Sequence, residues 1–336
     1  MSKPQVLIAA NPIKGIVWSK EEQKSKLGAV AEVFELGETT REQFFKDLAQ
    51  GGKYANIVAI YRHNESVSAI GLFDKELIEK LPESVKYICH NGAGYDQIDV
   101  HAATARGIQV SHTPGAVDNA TSTVGAYLAI SAMRQFHKGE KLIRAGKWKA
   151  GFAPARDPEE KVLGIIGMGG IGSAMARRLI AFDMKVIYYN RKEISPKPDF
   201  PCTYISNQED LLRQADIVSL NLPLNEKTKG SFGKKQFDQM KDGSVLVNTA
   251  RGAVVDEEAL IEALESGKLY SAGLDVFPDE PNVNPKLLAM DNITLLPHLG
   301  TETQDSQKKM ELQVLDNIIS ALSGKGLLNQ VPEQRK

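Results

Sequence analysis

One segment near the middle of the chain, residues 161–192, constrains the fold more than any other. An apolar stretch, Val162–Ile166, leads into the sequence GMGGIG at 167–172, and a helix-like stretch then leads to a second apolar stretch, Lys185–Tyr189. A G-x-G-x-x-G pattern alone is weak, since glycine occurs in many ordinary loops. Here the flanking stretches supply the strand, helix and strand of a βαβ unit. The segment therefore predicts a parallel α/β sheet that binds a nucleotide pyrophosphate at the glycine turn.

Each glycine of this turn has a physical role in such a unit. Gly167 permits a tight turn, and Gly169 has no side chain to keep the backbone away from the pyrophosphate. Gly172 allows the helix to pack closely on the strand. The start of that helix offers free N–H groups and a partial positive charge to the phosphates.

A polar triplet, Asn190-Arg191-Lys192, closes the segment. NAD-binding units place an Asp or Glu about 20 residues after the glycines, where it accepts a hydrogen bond from the adenosine ribose. Here Asn190 stands in place of the acid, and the guanidinium of Arg191 can pair with a 2′-phosphate. The alternative is that Arg191 and Lys192 are solvated loop charges. We predict that NADP(H) is the preferred cofactor, with NAD(H) possible.

The composition is that of a globular protein with room for two domains. The chain has 336 residues, of which 42% are hydrophobic and 25% are charged, and its net charge is −1. That charge excludes a strong field that would recruit nucleic acid or an anionic membrane. Cys89 and Cys202 lie far apart and lack metal-ligand spacing, which favours a reducing compartment. Because no stretch resembles a membrane span or a signal peptide, we expect a cytoplasmic protein without a bound metal.

Strand-like and helix-like stretches alternate in two regions, residues 1 to about 115 and 161 to about 297. Candidate strands of the first region are Gln5–Ala9, Asn56–Tyr61, Val85–Cys89 and Ile108–Ser111. Further candidate strands of the second region are Ile217–Leu220, Ser244–Val247, Ala272–Val276 and Ile293–Leu296. Helices are expected after the candidate N-cap Thr40, at Lys75–Leu81, Val100–Arg106 and Asp256–Leu264, and as long helices at 119–146 and 301–322. Repeated βα units predict two doubly wound parallel sheets.

Arg251, Glu280 and His298 each lie beyond the end of a different candidate strand. Ligands of open α/β sheets bind beyond the carboxyl ends of the strands. Each residue alone is more often a surface or scaffold residue. Together, beside a dinucleotide turn, they predict a site for hydride transfer.

This trio suits the reduction of a 2-oxo acid, which needs a hydride at C2, a proton for the developing alkoxide and an anchor for the carboxylate. A histidinium is a suitable acid for this reaction, because the pKa of a histidine side chain in general lies near neutrality, and His298 is the candidate residue. A neighbouring carboxylate at Glu280 favours and orients the charged imidazolium. Arg251 can stabilise the carbonyl oxygen and the carboxylate electrostatically.

A second candidate site is the loop with the sequence HNGAGYD at 90–96. Gly92, Ala93 and Gly94 have small side chains, so their backbone N–H groups can form an anion nest that holds the substrate carboxylate. The alternative is a plain turn between a strand and a helix. The wall of the substrate pocket is expected near Tyr61, Arg62 and His63.

Together these motifs resemble those of the D-2-hydroxyacid dehydrogenase family. The matching segments, in chain order, are CHNGAGYDQIDV, HTPGAVDNAT, GIIGMGGIG, DIVSLNLPL, LVNTARGAVVDEEAL, SAGLDVFPDEP and LPHLG. The resemblance covers nearly the whole chain, and the shared order and spacing are far more specific than any single motif. Within the family, the chain is similar to fungal NADPH-dependent glyoxylate and hydroxypyruvate reductases and to D-mandelate dehydrogenase-like enzymes.

The resemblance implies a Rossmann cofactor domain at 116–300 and a flavodoxin-like substrate domain formed by 1–115 with 301–336. It implies that Arg251, Glu280 and His298 are catalytic, with His298 as the proton donor. The implied substrate-binding residues are Gly92, Ala93, Gly94, Arg251 and His298. Family members usually form homodimers through their cofactor domains, so a homodimer is expected.

The resemblance also assigns residues to the cofactor. It places Thr249 and Asp275 along the nicotinamide, and Leu222 to Leu224 along the adenosine. The full implied set is Gly167, Gly169, Gly170, Ile171, Gly172, Asn190, Arg191, Lys192, Leu222, Pro223, Thr228, Thr249, Ala250, Asp275, Gly300 and Thr121.

Two features depart from the common family pattern. Asn190 replaces the acid of NAD enzymes, as in members that use NADP(H), and Thr121-Ser122-Thr123 stands where many relatives have Ala-Glu, which leaves the start of that helix open. Transcriptional corepressors share the fold and similar residues, so a dinucleotide-sensing binding protein is a second hypothesis. The sequence shows no long disordered tail or partner-binding arm that would favour it.

Overall fold

The computed structural model describes residues 2–11 and 15–335, and the chain divides into two compact units. The first unit comprises Met1–Val117 and Thr303–Lys336, and the second comprises Asp118–Glu302. The divisions fall at 117/118 and 302/303, close to the expected boundaries at 115/116 and 300/301. The chain therefore leaves the first unit once and returns to it near its end.

The first unit is built on a five-stranded parallel sheet. Its strands are β1 (Gln5–Ala9), β2 (Glu32–Glu35), β3 (Ile57–His63), β4 (Tyr87–Asn91) and β5 (Gln109–Ser111). They lie in the order β2-β1-β3-β4-β5 with every pair parallel, which is the flavodoxin-like order. The predicted doubly wound sheet is confirmed, although the sequence pattern does not predict β2.

Helices connect these strands. They are α1 (Lys20–Glu22), a π-helical turn (Gln23–Leu27) that runs on into α2 (Gly28–Val30), α3 (Arg41–Leu48), a 3-10 turn (Asn64–Ser66), α4 (Val67–Ile70), α5 (Lys75–Lys80) and α6 (Val100–Ala105). The Thr40 hydroxyl caps α3 by accepting a hydrogen bond from the backbone N–H of Gln43 at 3.2 Å, as predicted. Asp99 caps α6 in the same way through the N–H of Ala102 at 2.8 Å.

The second unit is built on a seven-stranded parallel sheet. Its strands are β6 (Val162–Ile166), β7 (Lys185–Tyr189), β8 (Thr203–Tyr204), β9 (Ile217–Leu220), β10 (Ser244–Asn248), β11 (Leu269–Leu274) and β12 (Ile293–Leu295). The order β12-β11-β10-β9-β6-β7-β8 changes direction between β6 and β9, where doubly wound sheets bind their ligands. This is the Rossmann order with one added edge strand, so the predicted fold of this unit is confirmed.

The helices of the second unit include two that replace the single helix expected at 119–146. They are α7 (Asp118–Arg134), α8 (Phe136–Arg144), α9 (Gly170–Ile180), α10 (Gln208–Gln214), α11 (Lys234–Gln239), a 3-10 turn (Gly252–Val254), α12 (Glu257–Glu265) and α13 (Pro285–Ala289). The prediction of one continuous helix is wrong because Gln135 has a left-handed backbone, with φ of 54°. Its side-chain amide donates to the carbonyl of Ala132 at 2.9 Å and stabilises this break. The helix start that the sequence left open is at Asp118, before Thr121-Ser122-Thr123.

The last long helix, α14 (Gln304–Leu322), belongs to the first unit and is followed by a 3-10 turn (Pro332–Gln334). Its buried residues Val314, Leu315 and Ile318 pack in one core with residues of β1. The buried carboxylate of Glu311 accepts hydrogen bonds from three consecutive backbone N–H groups, at 17–19, over 2.7–3.0 Å. None of the described helices is long and apolar enough to cross a membrane.

Candidate active site

The glycine turn between β6 and α9 has the steric properties that a dinucleotide requires. Gly167 has a φ of 98°, and a side chain there would overlap the carbonyl of Asn221. A Cβ at Gly172 would press on the carbonyl of Gly167 at the helix–strand contact. A Cβ at Gly169 would have no atom within 4 Å, so this glycine borders open space. Two glycines are thus required by packing, while the third leaves its backbone accessible.

The start of α9 offers the donors that a pyrophosphate needs. Gly169 is the N-cap of this helix, which begins at Gly170. Within the described part of the chain, the backbone N–H groups of Gly170, Ile171 and Gly172 donate to no acceptor. These unpaired donors belong to the first turn of α9, where the helix dipole adds a partial positive charge. The turn therefore fits a bound dinucleotide phosphate.

Asn190 has a structural contact that the sequence pattern does not predict. Its side-chain Oδ1 accepts a hydrogen bond from the backbone N–H of Met168, in the glycine turn, at 2.8 Å. The hydroxyl of Tyr204 also donates to the Asn190 carbonyl at 3.2 Å. Arg191 and Lys192, by contrast, are exposed, and no described residue forms a hydrogen bond or an ion pair with either side chain. Two exposed cations therefore follow β7, directly after Asn190, which contacts the glycine turn.

The loop after β10 is held in place by Asn248, which is 1% exposed. Its Oδ1 accepts from the N–H of Ala250 and its Nδ2 donates to the carbonyl of Arg251, both at 3.0 Å. The side chain of Arg251 donates to the Ala250 carbonyl at 2.8 Å. The buried hydroxyl of Thr249 has no hydrogen-bond partner among the described residues, so it is ready to contact a bound molecule.

The loop after β9 contains the residues assigned to the adenosine. Leu222 and Leu224 are half-buried against the core of the second unit. The hydroxyl of Thr228 donates to the carbonyl of Pro223 at 2.6 Å and accepts from the N–H of Asn225 at 2.9 Å. Thr228 therefore closes this loop by its own contacts.

Glu280 and His298 form the charged centre of the site. Glu280 Oε2 lies 2.8 Å from His298 Nδ1, and Glu280 Oε1 accepts from the N–H of Phe277 at 2.9 Å. Burial acts to raise the pKa of Glu280, but the hydrogen bonds from His298 and Phe277, with the charges of His298 and Arg251, lower it overall. A Cβ at Gly252 would overlap the backbone of Phe277, so only glycine lets these loops meet. The structure therefore brings Arg251, Glu280 and His298 together.

Asp275 holds the backbone around His298. The backbone of His298 is left-handed, with φ of 55°, and its N–H donates to the Asp275 carbonyl at 2.8 Å. The two carboxylate oxygens of Asp275 accept from the N–H groups of Leu299 at 2.7 Å and Gly300 at 2.9 Å. The Thr121 hydroxyl donates to the carbonyl of Gly300 at 3.2 Å. Four of the residues that the resemblance assigns to the site thus form one connected structure.

The buried carboxyl of Asp275 is expected to make stability depend on pH. Burial raises the pKa of Asp275 to about 6, and the hydrogen bonds from Leu299 and Gly300 offset this only in part. The folded protein therefore binds this proton more tightly than the unfolded chain, and the carboxyl lowers the free energy of unfolding as pH rises from about 4 to about 6.

Asp275→Asn tests this directly. The free energy of unfolding, from urea denaturation, is measured for both proteins at pH 4 and pH 7. From pH 4 to pH 7, the free energy of unfolding of the wild type is expected to fall by about 2–3 kcal/mol relative to that of the variant. If the difference in unfolding free energy between the two proteins is the same at pH 4 and pH 7, Asp275 keeps an ordinary pKa.

The loop 92–94 of the first unit is ordered by hydrogen bonds to its carbonyl groups. The carbonyl of Gly92 accepts from the N–H of Thr113 at 2.9 Å, and those of Ala93 and Gly94 lie 2.8 and 2.9 Å from the ring nitrogens His112 Nδ1 and His90 Nε2. No described residue accepts from the three N–H groups. Neither glycine has a positive φ. The carbonyl groups of this loop are therefore all paired within the first unit, while its N–H groups are not.

Two of the three residues near which the wall of the substrate pocket is expected are buried. Tyr61 is 1% exposed and Arg62 is 0% exposed. The Tyr61 hydroxyl accepts a hydrogen bond from Asn91 Nδ2 at 2.7 Å, and Arg62 makes hydrogen bonds with three side chains. Both side chains complete the interior of their own unit, and the position of the pocket wall near them stays a prediction.

Sequence reasoning missed several residues that organise the site. Asn248, Asn221 and His90 are polar residues directly at or after strand ends, and Asn248 and His90 adjoin residues that were singled out. Asn248 and His90 are buried, which the sequence does not show. A polar residue at the end of an apolar strand is the signal that could have identified them.

Comparison with known proteins places this geometry in context. Residues 126–300 match the family model described as "D-isomer specific 2-hydroxyacid dehydrogenase, NAD binding domain". The chain is 48% identical to 4-methyl-2-oxopentanoate reductase A of Aspergillus oryzae, over 96% of this chain and 97% of that protein. The crystal structure of a glyoxylate reductase from Paecilomyes thermophila is 49% identical, with a TM-score of 0.94 over 99% of both chains. A Sinorhizobium meliloti NADPH-dependent glyoxylate/hydroxypyruvate reductase, solved with NADP and malonate, is 27% identical, with a TM-score of 0.84 over 100% of this chain and 99% of that one.

Proposed function

Because the chain belongs to the D-isomer-specific 2-hydroxyacid dehydrogenase family and is an oxidoreductase, we propose that it uses NADPH to reduce a small 2-oxo acid to the D-2-hydroxy acid. The observation that carries this proposal is the 2.8 Å contact between Glu280 Oε2 and His298 Nδ1. It lies in the unit that contains the glycine turn and Arg251. An acid, its orienting carboxylate and a cation are the groups that carbonyl reduction needs.

His298 acts as the proton donor. Its Nδ1–H donates to Glu280, which leaves Nε2 as the atom that gives its proton to the oxygen on C2 of the substrate. Glu280 stabilises the imidazolium before transfer and fixes the ring orientation. NADPH, when bound, supplies the hydride that reduces C2. After the reaction, His298 is neutral and takes up a proton from solvent.

Arg251 and the loop 92–94 anchor the substrate. Arg251 presents a guanidinium that can form two parallel hydrogen bonds with a carboxylate. Asn248 fixes the backbone that carries it. In the first unit, we assign the N–H groups of Gly92, Ala93 and Gly94, for which no described residue is an acceptor, to the binding of a substrate carboxylate. A 2-oxo acid is therefore favoured over a simple aldehyde or ketone.

The preference for NADPH is supported by the end of β7. Arg191 and Lys192 are exposed cations without a described partner, which suits a 2′-phosphate. A related reductase, 27% identical, was crystallised with NADP. We assign the pyrophosphate to 167–172, the adenosine to Leu222, Pro223 and Thr228, and the nicotinamide to the set Thr121, Thr249, Ala250, Asp275 and Gly300.

A panel of 2-oxo acids tests the proposed function. Oxidation of NADPH is followed at saturating cofactor with glyoxylate, hydroxypyruvate, 4-methyl-2-oxopentanoate and phenylglyoxylate, which differ in side-chain size. The methyl ester of phenylglyoxylate is the matched control without a carboxylate. Turnover of at least one acid, and much weaker turnover of the ester, is expected. Tight NADPH binding without turnover of any acid would instead favour a dinucleotide-sensing binding protein.

We also propose that the second unit forms the interface of a homodimer. Helix α8 has no buried residue, although its apolar side chains include Phe136 and Ile143, which are 48% and 50% exposed. Trp148, in the segment after it, is 72% exposed. Large exposed apolar side chains that lie close together in the sequence support an interface with a second chain on this surface.

Sedimentation equilibrium tests the proposed dimer. The wild type is expected at twice the mass of one chain, and Phe136→Glu with Trp148→Glu is expected to shift it toward monomer, because both substitutions bury charge at the interface. Leu328→Glu is the matched control, since Leu328 is 61% exposed in the first unit. A monomeric wild type would contradict the proposal.

A further inference from the structure

Arg62 and His90 are buried neighbours at the carboxyl ends of β3 and β4. Both are 0% exposed, and the strands pair so that Arg62 lies beside His90. Arg62 Nη1 is 3.1 Å from His90 Nδ1. Burying a guanidinium is costly unless its hydrogen bonds are satisfied. A buried cation beside a buried imidazole therefore calls for a reason beyond packing.

The contact fixes which nitrogen of His90 carries the proton. A guanidinium has only donors, so His90 Nδ1 must be the acceptor and the proton of the neutral ring must be on Nε2. The competing tautomer is within reach, because Nδ1 also lies 3.3 Å from the Arg62 carbonyl, to which an Nδ1–H could donate. Burial, with the charge of Arg62, lowers the pKa of His90 well below its usual range, so the ring stays neutral.

The other side of the ring holds the loop 92–94. His90 Nε2 lies 2.9 Å from the carbonyl of Gly94, so the Nε2–H tautomer donates to it. A Cβ at Gly92 would overlap the same ring, with Cε1 3.1 Å away. The imidazole therefore touches both ends of the loop, by packing at Gly92 and by a hydrogen bond at Gly94.

Arg62 is itself held in one position. Its guanidinium donates to Asn64 Oδ1 at 2.6 Å and to Gln97 Oε1, and it lies 5.7 Å from the centre of the Phe73 ring. Burial lowers the pKa of Arg62 to about 10, with Asp96 opposing the shift, so it remains a cation at neutral pH. As a cation, Arg62 can only donate in its hydrogen bond with His90.

We propose that Arg62 and His90 form a positioning relay that presents the N–H groups of 92–94 to the substrate carboxylate by locking His90 in its Nε2–H tautomer. Neither side chain touches the substrate. The inference rests on the proposed function, in which that loop binds the carboxylate. If the relay is lost, the Gly94 carbonyl loses its donor and the loop is no longer held in its binding conformation.

The tautomer is measured on the free protein, without substrate. Long-range ¹H–¹⁵N correlation spectra of the six histidines distinguish Nε2–H from Nδ1–H rings, and the His90 signal is assigned by its absence in His90→Gln. A pure Nε2–H ring is expected in the wild type, and a mixture of tautomers is expected in Arg62→Met. An Nδ1–H ring in the wild type would overturn the inference, whatever the kinetics show.

Steady-state kinetics then test the link to substrate. His90→Leu, which cannot donate, is expected to raise KM for the 2-oxo acid by about 10- to 100-fold, with kcat and the KM for NADPH changed far less. His90→Gln, whose amide Nε2 can donate to Gly94, is expected to recover most of this loss. Ile78→Val, which deletes one buried methylene from the core of the same unit, controls for lost stability.

The experiments distinguish a failure of the proposed relay from a failure of the proposed function. Suppose that the wild type turns over 2-oxo acids. If His90→Leu then leaves KM for the acid unchanged, or if Ile78→Val raises KM as much as His90→Leu does, the relay is overturned and the proposed function stays intact. A wild type with the Nε2–H ring but no turnover of any 2-oxo acid would overturn the proposed function, and would leave the locked tautomer as a property of the loop alone.

Discussion

Replacing His298 with glutamine is expected to lower kcat for 2-oxo acid reduction by about 10²- to 10⁴-fold, the contribution of a positioned general acid. Glutamine keeps a hydrogen-bonding amide near Glu280 but cannot transfer a proton. The Kd for NADPH is expected to change little, because the dinucleotide contacts are assigned to the glycine turn and its neighbours. Stopped-flow single-turnover rates and fluorescence titration of NADPH measure the two effects separately.

His137→Gln is the control for this experiment. His137 belongs to the same unit and bonds to the Asp291 carbonyl at 2.8 Å and the Thr294 hydroxyl at 3.0 Å, away from Glu280. It is expected to retain nearly wild-type kcat. If His298→Gln loses NADPH affinity by as large a factor as it loses kcat, His298 is not the proton donor. The same conclusion follows if His298→Gln and His137→Gln have similar kcat.

The second large effect is expected at the end of β7. Arg191→Ala should lower kcat/KM for NADPH by about 10- to 150-fold, equivalent to about 1.5–3 kcal/mol for a charge-assisted contact, while the value for NADH changes little. Adding Asn190→Asp should reverse the preference toward NADH. The new carboxylate can still accept from the N–H of Met168, and its second oxygen can accept from a ribose hydroxyl while repelling a 2′-phosphate.

Lys185→Ala is the matched control, since Lys185 is an exposed cation at the opposite end of the same strand. Its NADPH/NADH ratio should equal that of the wild type. An unchanged ratio in Arg191→Ala would mean that the arginine does not contact the 2′-phosphate. A loss of the same size in Lys185→Ala would mean that general charge, and not a specific contact, attracts the cofactor.

The order of elements could be predicted because apolar strands and glycine turns are local signals. β6, β7 and β9 begin and end at the predicted residues, since most residues of these strands are apolar and buried. The strand orders in both sheets also follow from the βα alternation and the family resemblance. By contrast, the break at Gln135 depends on a single buried side chain, which no periodicity reveals.

The candidate site was predictable in its charged residues and less so in what supports them. Arg251, Glu280 and His298 stand out because charge after an apolar strand is unusual. Asn190 was interpreted through the missing acid, and its contact with Met168 depends on the distance between two loops. The wall of the substrate pocket is expected near Arg62, but the sequence does not show that this side chain is buried. Its contact with His90 joins two strands that lie apart in the sequence, so only the three-dimensional structure reveals it.

Transfer of deuterium to the product tests the central claim most directly. The protein is incubated with NADPH that carries deuterium at both positions of the nicotinamide C4. The substrate is the most active of hydroxypyruvate, 4-methyl-2-oxopentanoate and phenylglyoxylate, whose products are chiral at C2, and the product is analysed by chiral chromatography and mass spectrometry. One deuterium at C2 of the D-2-hydroxy acid, with one NADPH oxidised per product, is the predicted result. The L enantiomer, a product without deuterium, or no hydroxy acid at all would contradict the account.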